Sequence, residues 1–324
     1  MKISVALCTY NGSIYLKDQL HSIVNQTLIV DEIIICDDNS TDNTIGIIIE
    51  FQEKYPNKIT LYRNDINLKV NKNFEKAITL CTGDYIFLCD QDDIWVNNKV
   101  ETMISIFDKN PEYEGIFSDG NLINEFGEIF TKKSLWENVL FFEKNINNQV
   151  DLFYYIANIR NMVTGATLCI KKEVKQFIFP FPKEDIIYHD EWIALLLAFR
   201  KKLSFSNEKL ISYRIHSMQQ IGVIKESSLK RNLKRIQNIL NYNDTSKFID
   251  LYDIRKLFYR NYYKFIKLKH SFDKHQVLNL EIIIENNYLN IIEIEKRMKK
   301  SSIFLYYFNK FAETLTQKRK LSQN

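Results

Sequence analysis

Glycine and proline are scarce in this chain: 8 and 4 among 324 residues. That excludes long structureless linkers, collagen-like repeats and low-complexity segments. Cysteine is sparse too, at five, an odd number with no Cys-x-x-Cys pair. Cys8, Cys36 and Cys89 fall within apolar runs. They are expected to be buried core thiols of a reducing compartment, not disulfide partners or zinc ligands. No apolar run approaches the ~20 residues that span a bilayer. The chain enters an apolar run at residue 3, so no signal peptide is expected. A glycine-rich phosphate loop is also missing: the first apolar run ends in Thr9-Tyr10-Asn11-Gly12. That argues against a nucleotidyltransferase.

What is present concentrates at the ends of apolar runs. Gly83-Asp84-Tyr85-Ile86-Phe87-Leu88-Cys89-Asp90-Gln91-Asp92-Asp93 reads as a buried strand emptying into three carboxylates. An open α/β sheet presents ligands at the carboxyl ends of its strands. Carboxylates crowded there repel one another, and a hard divalent cation offsets that repulsion. Asp90 and Asp92 alternate along extended chain, so one can face an ion and the other a hydroxylated ligand. A diphosphate chelated to Mg2+ or Mn2+ is the simplest client. The alternative is a solvated acidic turn.

The flanking pattern favours the first reading. Ile3 to Cys8 and Ile33 to Cys36 are apolar runs, the second ending in Asp37-Asp38-Asn39-Ser40. Residues 13 to 26 between them have helical spacing, and residues 41 to 54 form a second helical stretch with Ser40 as its expected cap. Ile59 to Tyr62 reads as a strand and Asn71 to Leu80 as a helix. Strand and helix in alternation predict an α/β fold with a mostly parallel sheet flanked by helices. In a parallel sheet the clusters at 9–11, 37–38 and 90–92 share one rim.

These residues resemble a known family. Thr9-Tyr10-Asn11, Asp37-Asp38-Asn39-Ser40 and Asp90-Gln91-Asp92-Asp93-Ile94-Trp95 are similar to the nucleotide-binding half of family 2 glycosyltransferases with a GT-A fold. Asn73-Phe74-Glu75, Phe117-Ser118-Asp119, Thr164-Gly165-Ala166-Thr167, His189-Asp190-Glu191-Trp192 and Tyr213-Arg214-Ile215-His216 continue the likeness. It covers about residues 1 to 222, and bacterial rhamnosyltransferase-like members look closest.

The resemblance implies roles. Tyr10 would stack on a nucleobase, with Thr9 and Asn11 beside it, and Asp37 or Asp38 would accept the base N–H. Asp92 would ligate the metal. Asp90 would touch the ribose, or the metal through water. Asp93 is either a ligand or a helix cap. Gln91, Asp119, Gly165, Ala166, Glu191 and Arg214 are expected around the donor sugar and acceptor. His216, a second metal residue, and Arg214 would neutralise the leaving group. Asp190 is the candidate base: residues 192 to 199 read as a buried helix, and the start of a helix favours an ionised carboxylate. The alternative role for Asp190 is capping that helix, and Glu191 is its rival as base. One departure stands out: Lys69, in Asn67-Leu68-Lys69-Val70, occupies a position where similar sequences carry glycine, and it is expected to face solvent.

Charge divides the chain. Residues 225 to 324 hold 21 Lys+Arg and 10 Asp+Glu, a net of +11, leaving −7 for the first 224 and +4 in total. The domains expected are therefore residues 1–222, the transferase domain, and 223–324, a basic, aromatic-rich helical extension. Its helices are expected near 229–241, 246–270, 276–298 and 302–316. Such a tail suits an anionic membrane surface where a lipid-linked acceptor lies, or it is a small bundle with a solvated basic face. Its aromatics sit at core-like spacing, so nucleic acid is not an expected partner. The resulting expectation is a cytoplasmic, inverting, metal-dependent glycosyltransferase. Its donor would be dTDP-L-rhamnose or a UDP-hexose, and its acceptor a growing surface glycan. The rival is an inactive glycan-binding scaffold of the same fold.

Overall fold

The computed structural model describes residues 1–139, 141, 152–183, 186–217, 219, 246–270 and 278–315. The chain divides into two compact units. One is Met1–Ile156 with Asn161–Val223, the other Ala157–Arg160 with Ile224–Asn324. The helix expected near 229–241 lies outside the described residues.

The first unit is built on alternating strands and helices, as the apolar runs imply. In order it runs β1 (Ile3–Thr9), α1 (Leu16–Val24), β2 (Glu32–Asp37), α2 (Thr44–Lys54), β3 (Ile59–Arg63), α3 (Lys69–Leu80), β4 (Tyr85–Cys89) and β5 (Ile94–Trp95). Next come α4 (Lys99–Lys109), β6 (Gly115–Ile123), β7 (Ile129–Ser134), α5 (Leu135–Asn138) and α6 (Leu152–Asn158). A 3-10 turn (Gly165–Thr167), β8 (Leu168–Lys171), α7 (Lys175–Ile178), α8 (His189–Phe199) and β9 (Leu203–Arg214) complete it. The sheet order is β3-β2-β1-β4-β8-β6-β9-β5, with β7 on β6. β3, β2, β1 and β4 are mutually parallel, and β8 turns antiparallel between β4 and β6.

Burial on both faces explains why the first strands are continuous apolar runs and do not alternate. Val5, Leu7, Ile33, Ile35 and Phe87 are fully buried. α1 offers Leu16, Leu20 and Ile23 to this core, and α4 offers Val100, Met103, Ile104 and Phe107. α8 is apolar almost all round because it is buried almost all round, Trp192 to Ala198. The parallel register pairs Thr9 with Asp37 and Leu7 with Cys89. The ends of β1, β2 and β4 therefore meet on one rim.

Two local expectations need correction. Ser40 is not the cap of α2, which begins at Thr44; the Ser40 hydroxyl instead donates to Asp37 and accepts from the Asn11 N–H. Asp42 takes the capping work by accepting the Thr44 N–H at 3.0 Å. Asp93 does not cap α4 either, because β5 intervenes and Asn98 precedes the helix.

The second unit holds α9 (Phe248–Lys269), α10 (Leu278–Ser301) and α11 (Ile303–Leu315). Leu251, Ile254, Phe258 and Phe265 of α9, and Ile283, Ile291, Ile294 and Met298 of α10, are buried at helical spacing. Among them lies Arg255, fully buried. It is held by Glu295 at 3.0 Å and by Glu313.

Lys69 is exposed, as expected of a solvent-facing side chain, yet its φ is +68°. A side chain with a Cβ is strained in this left-handed region by about 1–2 kcal/mol. The strain persists because the Lys69 N–H donates to Asp38 Oδ2 at 2.8 Å, and glycine would keep that bond. Lys69→Gly is therefore expected to raise the unfolding free energy by up to about 1 kcal/mol after its unfolded-state entropy is counted. Lys69→Val should lower it by a similar amount. Urea midpoints at constant slope measure both.

Candidate active site

The rim residues separate into those that hold loops and those that face outward. Thr9 Oγ1 donates to Asp37 Oδ2 at 2.8 Å, and Asp37 also accepts from the Ser40 N–H and hydroxyl. Asp38 accepts from Asn64 Nδ2, Leu68 N and Lys69 N at 2.7–2.9 Å. Both carboxylates are buried. Asp37 and Asp38 close the loops after β2 and β3 from inside. Asn11, at φ +48°, is likewise engaged, its Oδ1 accepting the Thr41 N–H.

Gln91 clamps the first loop. Its amide accepts from Tyr10 N at 2.8 Å and donates to Tyr10 O at 3.0 Å. Gly12 makes room for it, since a Cβ there would stand 2.1 Å from Gln91 Oε1. With its backbone fixed, Tyr10 keeps its ring outward, 45 % exposed. Gln91 thus positions Tyr10 through its amide.

Arg214 is enclosed by its own chain. It is 1 % exposed. Its N–H donates to Asp93 Oδ1 at 2.9 Å and its Nε to Asp92 O at 2.7 Å. Nη1 reaches Glu125 O at 3.1 Å, and the guanidinium lies over the Tyr15 ring. It organises the acidic loop from behind. Asp119 is similar: its Oδ1 accepts from Gly120 N and Trp136 N, shaping the bend in β6.

Three carboxylates converge from two elements. Asp90 and Asp92 follow β4, and Asp190 is the second residue of α8. Burial, then the charges of Asp92 and Asp190, push the Asp90 carboxyl up to about 7. Asp92 Oδ2 lies 3.0 Å from His216 Nε2. A carboxylate oxygen suits Mg2+ or Mn2+, and an imidazole nitrogen is a common ligand of divalent ions. The pair therefore fits a divalent ion. Among the described residues no group of three or more His, Cys, Asp or Glu is placed to hold an ion alone. Such an ion would rely on phosphate oxygens and water, as Mg2+ commonly does.

The helix start does not keep Asp190 in the ordinary carboxylate range. Its Oδ1 accepts the Glu191 N–H at 2.6 Å and its Oδ2 the Gly165 N–H at 3.1 Å. Burial outweighs both bonds and, with the Glu191 charge, raises the carboxyl to about 7. His189 beside it stacks on Phe74, ring centroids 3.9 Å apart. Gly165 is needed for this ring, because a Cβ would come within 2.8 Å of His189 Nε2. That close approach is to the chain's own His189 ring. Asn71 anchors the segment by accepting His189 N and donating to Pro182 O and Ile187 O. Ala166 is buried, and Glu191 is partly buried beside Asp190.

Sequence reasoning missed Lys99. It is fully buried, its Nζ donating to Ala166 O at 2.6 Å and lying 4.0 Å from the Trp95 ring centre. Burial lowers its pKa to about 8 against the opposing pull of Asp93 and Asp90. The signal was there: Lys99 shares the helical face of Val100, Met103 and Phe107.

With this geometry in view, known proteins place the chain. The model of glycosyl transferase family 2 matches residues 4–162. A dTDP-rhamnosyl transferase of Shigella flexneri is 30 % identical over 247 residues, covering 72 % of this chain and 79 % of that one. The chain belongs to glycosyl transferase family 2. It is a glycosyltransferase. Its fold is GT-A, shared with Staphylococcus aureus TarS bound to UDP-GlcNAc. That match has a TM-score of 0.56 and 15 % identity, covering 92 % of this chain and 84 % of that one. A Pyrobaculum calidifontis mannosyltransferase in complex with GDP-Man and Mn2+ also shares it. There the TM-score is 0.53 at 14 % identity, covering 93 % and 73 %.

The raised carboxyl of Asp190 has a signed consequence for this glycosyltransferase. Between its unfolded value near 4 and its folded value of about 7, the folded chain binds the extra proton. Stability from this group is present at the low end and lost as pH rises through that window. His189, lowered to about 3, acts in the opposite direction up to about 6.5, so the wild-type curve alone mixes the two. The difference isolates Asp190. Asp190→Asn loses one backbone N–H bond at every pH, so the expected signature is the slope: its melting temperature gains on wild type steadily from about pH 4 to about pH 7.

Proposed function

We propose that this glycosyltransferase moves a sugar, L-rhamnose first among candidates, from a nucleoside diphosphate sugar to a hydroxyl of a growing bacterial surface glycan. The observation carrying the reading is the convergence of Asp90, Asp92 and Asp190. Asp92 is paired with His216, and Asp190 heads a buried helix on the other side. The rhamnose preference rests on the name of the Shigella relative and on the sequence resemblance. UDP-hexoses are the next candidates.

The Tyr10 ring stacks on the nucleobase, held in place by the Gln91 clamp. Thr9, Asn11, Asp37 and Asp38 set the floor of that pocket from within. Asp90 meets the ribose, directly or through water. Asp92 and His216 would hold Mg2+ or Mn2+; bound with the diphosphate, the ion supplies Lewis-acid stabilisation of the leaving group. Asp190 removes the acceptor hydroxyl proton as that oxygen bonds to the anomeric carbon. The bond from that carbon to the diphosphate breaks, its electron pair leaving with the nucleoside diphosphate. One in-line displacement inverts the configuration. A base near pH 7 is well matched to this task. Glu191 and the Gly165–Ala166 turn flank the acceptor side. The acceptor is a lipid-linked glycan at the inner face of the membrane. Among the described residues, no helix is long and apolar enough to cross one.

Thermal-shift measurements with nucleoside diphosphates and nucleotide sugars, with and without Mn2+ or Mg2+, test the donor site. A metal-dependent shift with dTDP or UDP ligands is expected, and it should disappear in Asp92→Ala. Silence with every nucleotide would sink the assignment. Asp190→Asn should retain the donor shift and lose transfer by roughly 100-fold or more. Wild-type kcat/KM should rise with pH through about 7 as Asp190 ionises. A profile flat from about pH 5 to 8 would remove Asp190 as base.

A further inference from the structure

α11 is an amphipathic helix turned inside out. Tyr306, Asn309, Lys310 and Glu313 recur at three- and four-residue spacing and form its less exposed face. Lys310 pairs with Glu295 of α10 at 2.7 Å, and Glu313 pairs with the buried Arg255 of α9. The opposite face carries Phe304, Tyr307, Phe308 and Phe311 at the same spacing, flanked by Ile303 and Leu305. These six are 41 to 76 % exposed. Rotating the helix to bury them would strip Glu313 from Arg255 and leave a buried guanidinium short of a partner, a costly loss. The polar face is therefore fixed inward and the aromatic face outward.

What covers such a face is indicated by the charge around it. Lys299 Nζ lies 5.5 Å from the Tyr307 ring centre, and Lys296, Lys299 and Lys300 are exposed. The sequence continues past α11 into Lys318-Arg319-Lys320, and the last hundred residues carry 21 basic against 10 acidic groups. Aromatic side chains bordered by lysine suit a lipid interface, where rings lie at headgroup depth and ammonium groups meet phosphate. Thirteen residues of helix reach about 20 Å, too short to span a bilayer but suited to lying in its plane.

We propose that the outward face of α11, with its flanking lysines, docks this chain on the surface of an anionic phospholipid bilayer. The helix embeds Phe304, Phe308 and Phe311 at the boundary between headgroups and acyl chains, and Lys299 and Lys300 pair with lipid phosphates. This deepens the reading of a lipid-linked acceptor without depending on it, since vesicle binding is measured without any sugar transfer.

The full chain is sedimented with phosphatidylcholine vesicles and with vesicles containing phosphatidylglycerol. Binding to the anionic vesicles, weakened by salt, is the expected result. The triple variant Phe304→Ser, Phe308→Ser, Phe311→Ser should lower partitioning roughly tenfold or more. Its melting temperature should be unchanged, because the replaced rings are exposed. Lys299→Glu with Lys300→Glu should weaken binding to anionic vesicles alone. No wild-type binding, or binding unaffected by the triple variant, would overturn the proposal. So would light scattering that shows a dimer broken by the triple variant while vesicles are ignored; a second copy would then cover the face. Nucleotide thermal shifts, run without vesicles, report on the donor site separately.

Discussion

The acidic rim depends on one buried cation. Arg214 sits behind the loop after β4, bonded to Asp92 O and, through its own N–H, to Asp93. It also ties in the β6–β7 turn through Glu125 O, and it covers Tyr15. Burial raises the carboxyls of Asp90 and Asp190 to about 7, helped at Asp90 by the charges of Asp92 and Asp190 and at Asp190 by that of Glu191. A loop under such a load would open outward if its backbone were held only by water. Arg214 removes that freedom by bonding the loop at Asp92 O and at the Asp93 carboxylate. A site primed this way gains most from a partner that brings positive charge.

Legibility from sequence followed a physical divide. Strands buried on both faces announce themselves as apolar runs, and the polar clusters ending them sit where parallel order requires. The rim and Asp190 at the head of α8 were readable for that reason. The loop-closing bonds of Asp37, Asp38, Asp119, Gln91 and Arg214 were not. Residue types that bind ligands well are also those that close loops well, having strong donors and acceptors on short or planar side chains. Only three-dimensional placement tells whether a carboxylate looks outward, like Asp92, or inward, like Asp38. The electrostatics of Asp190 misled for a related reason: a helix start lowers a carboxyl pKa in water, whereas burial, invisible in sequence, reverses the sign.

The two units use buried arginine differently. Arg214 bonds mainly backbone carbonyls and so fixes the path of loops. Arg255 bonds two carboxylates on neighbouring helices and so fixes the rotation of α11 about its own axis. A fully apolar contact would be no weaker, but it would be rotationally permissive. The ionic one selects which face of the helix the solvent meets.

Lys99 carries an implication for how the sequence can drift. Its ammonium joins the face of Trp95, on the acidic-loop side, to the carbonyl of Ala166, next to the amide that holds Asp190. Side chains 95 and 99 are therefore tied to each other, whereas position 166 takes part only through its main-chain carbonyl. A shorter side chain at 99 leaves a buried carbonyl without its donor, and a non-aromatic residue at 95 removes the surface on which the ammonium is tolerated. Change at either 95 or 99 is constrained by the other, whereas the exposed Lys109 at the far end of α4 is open to exchange.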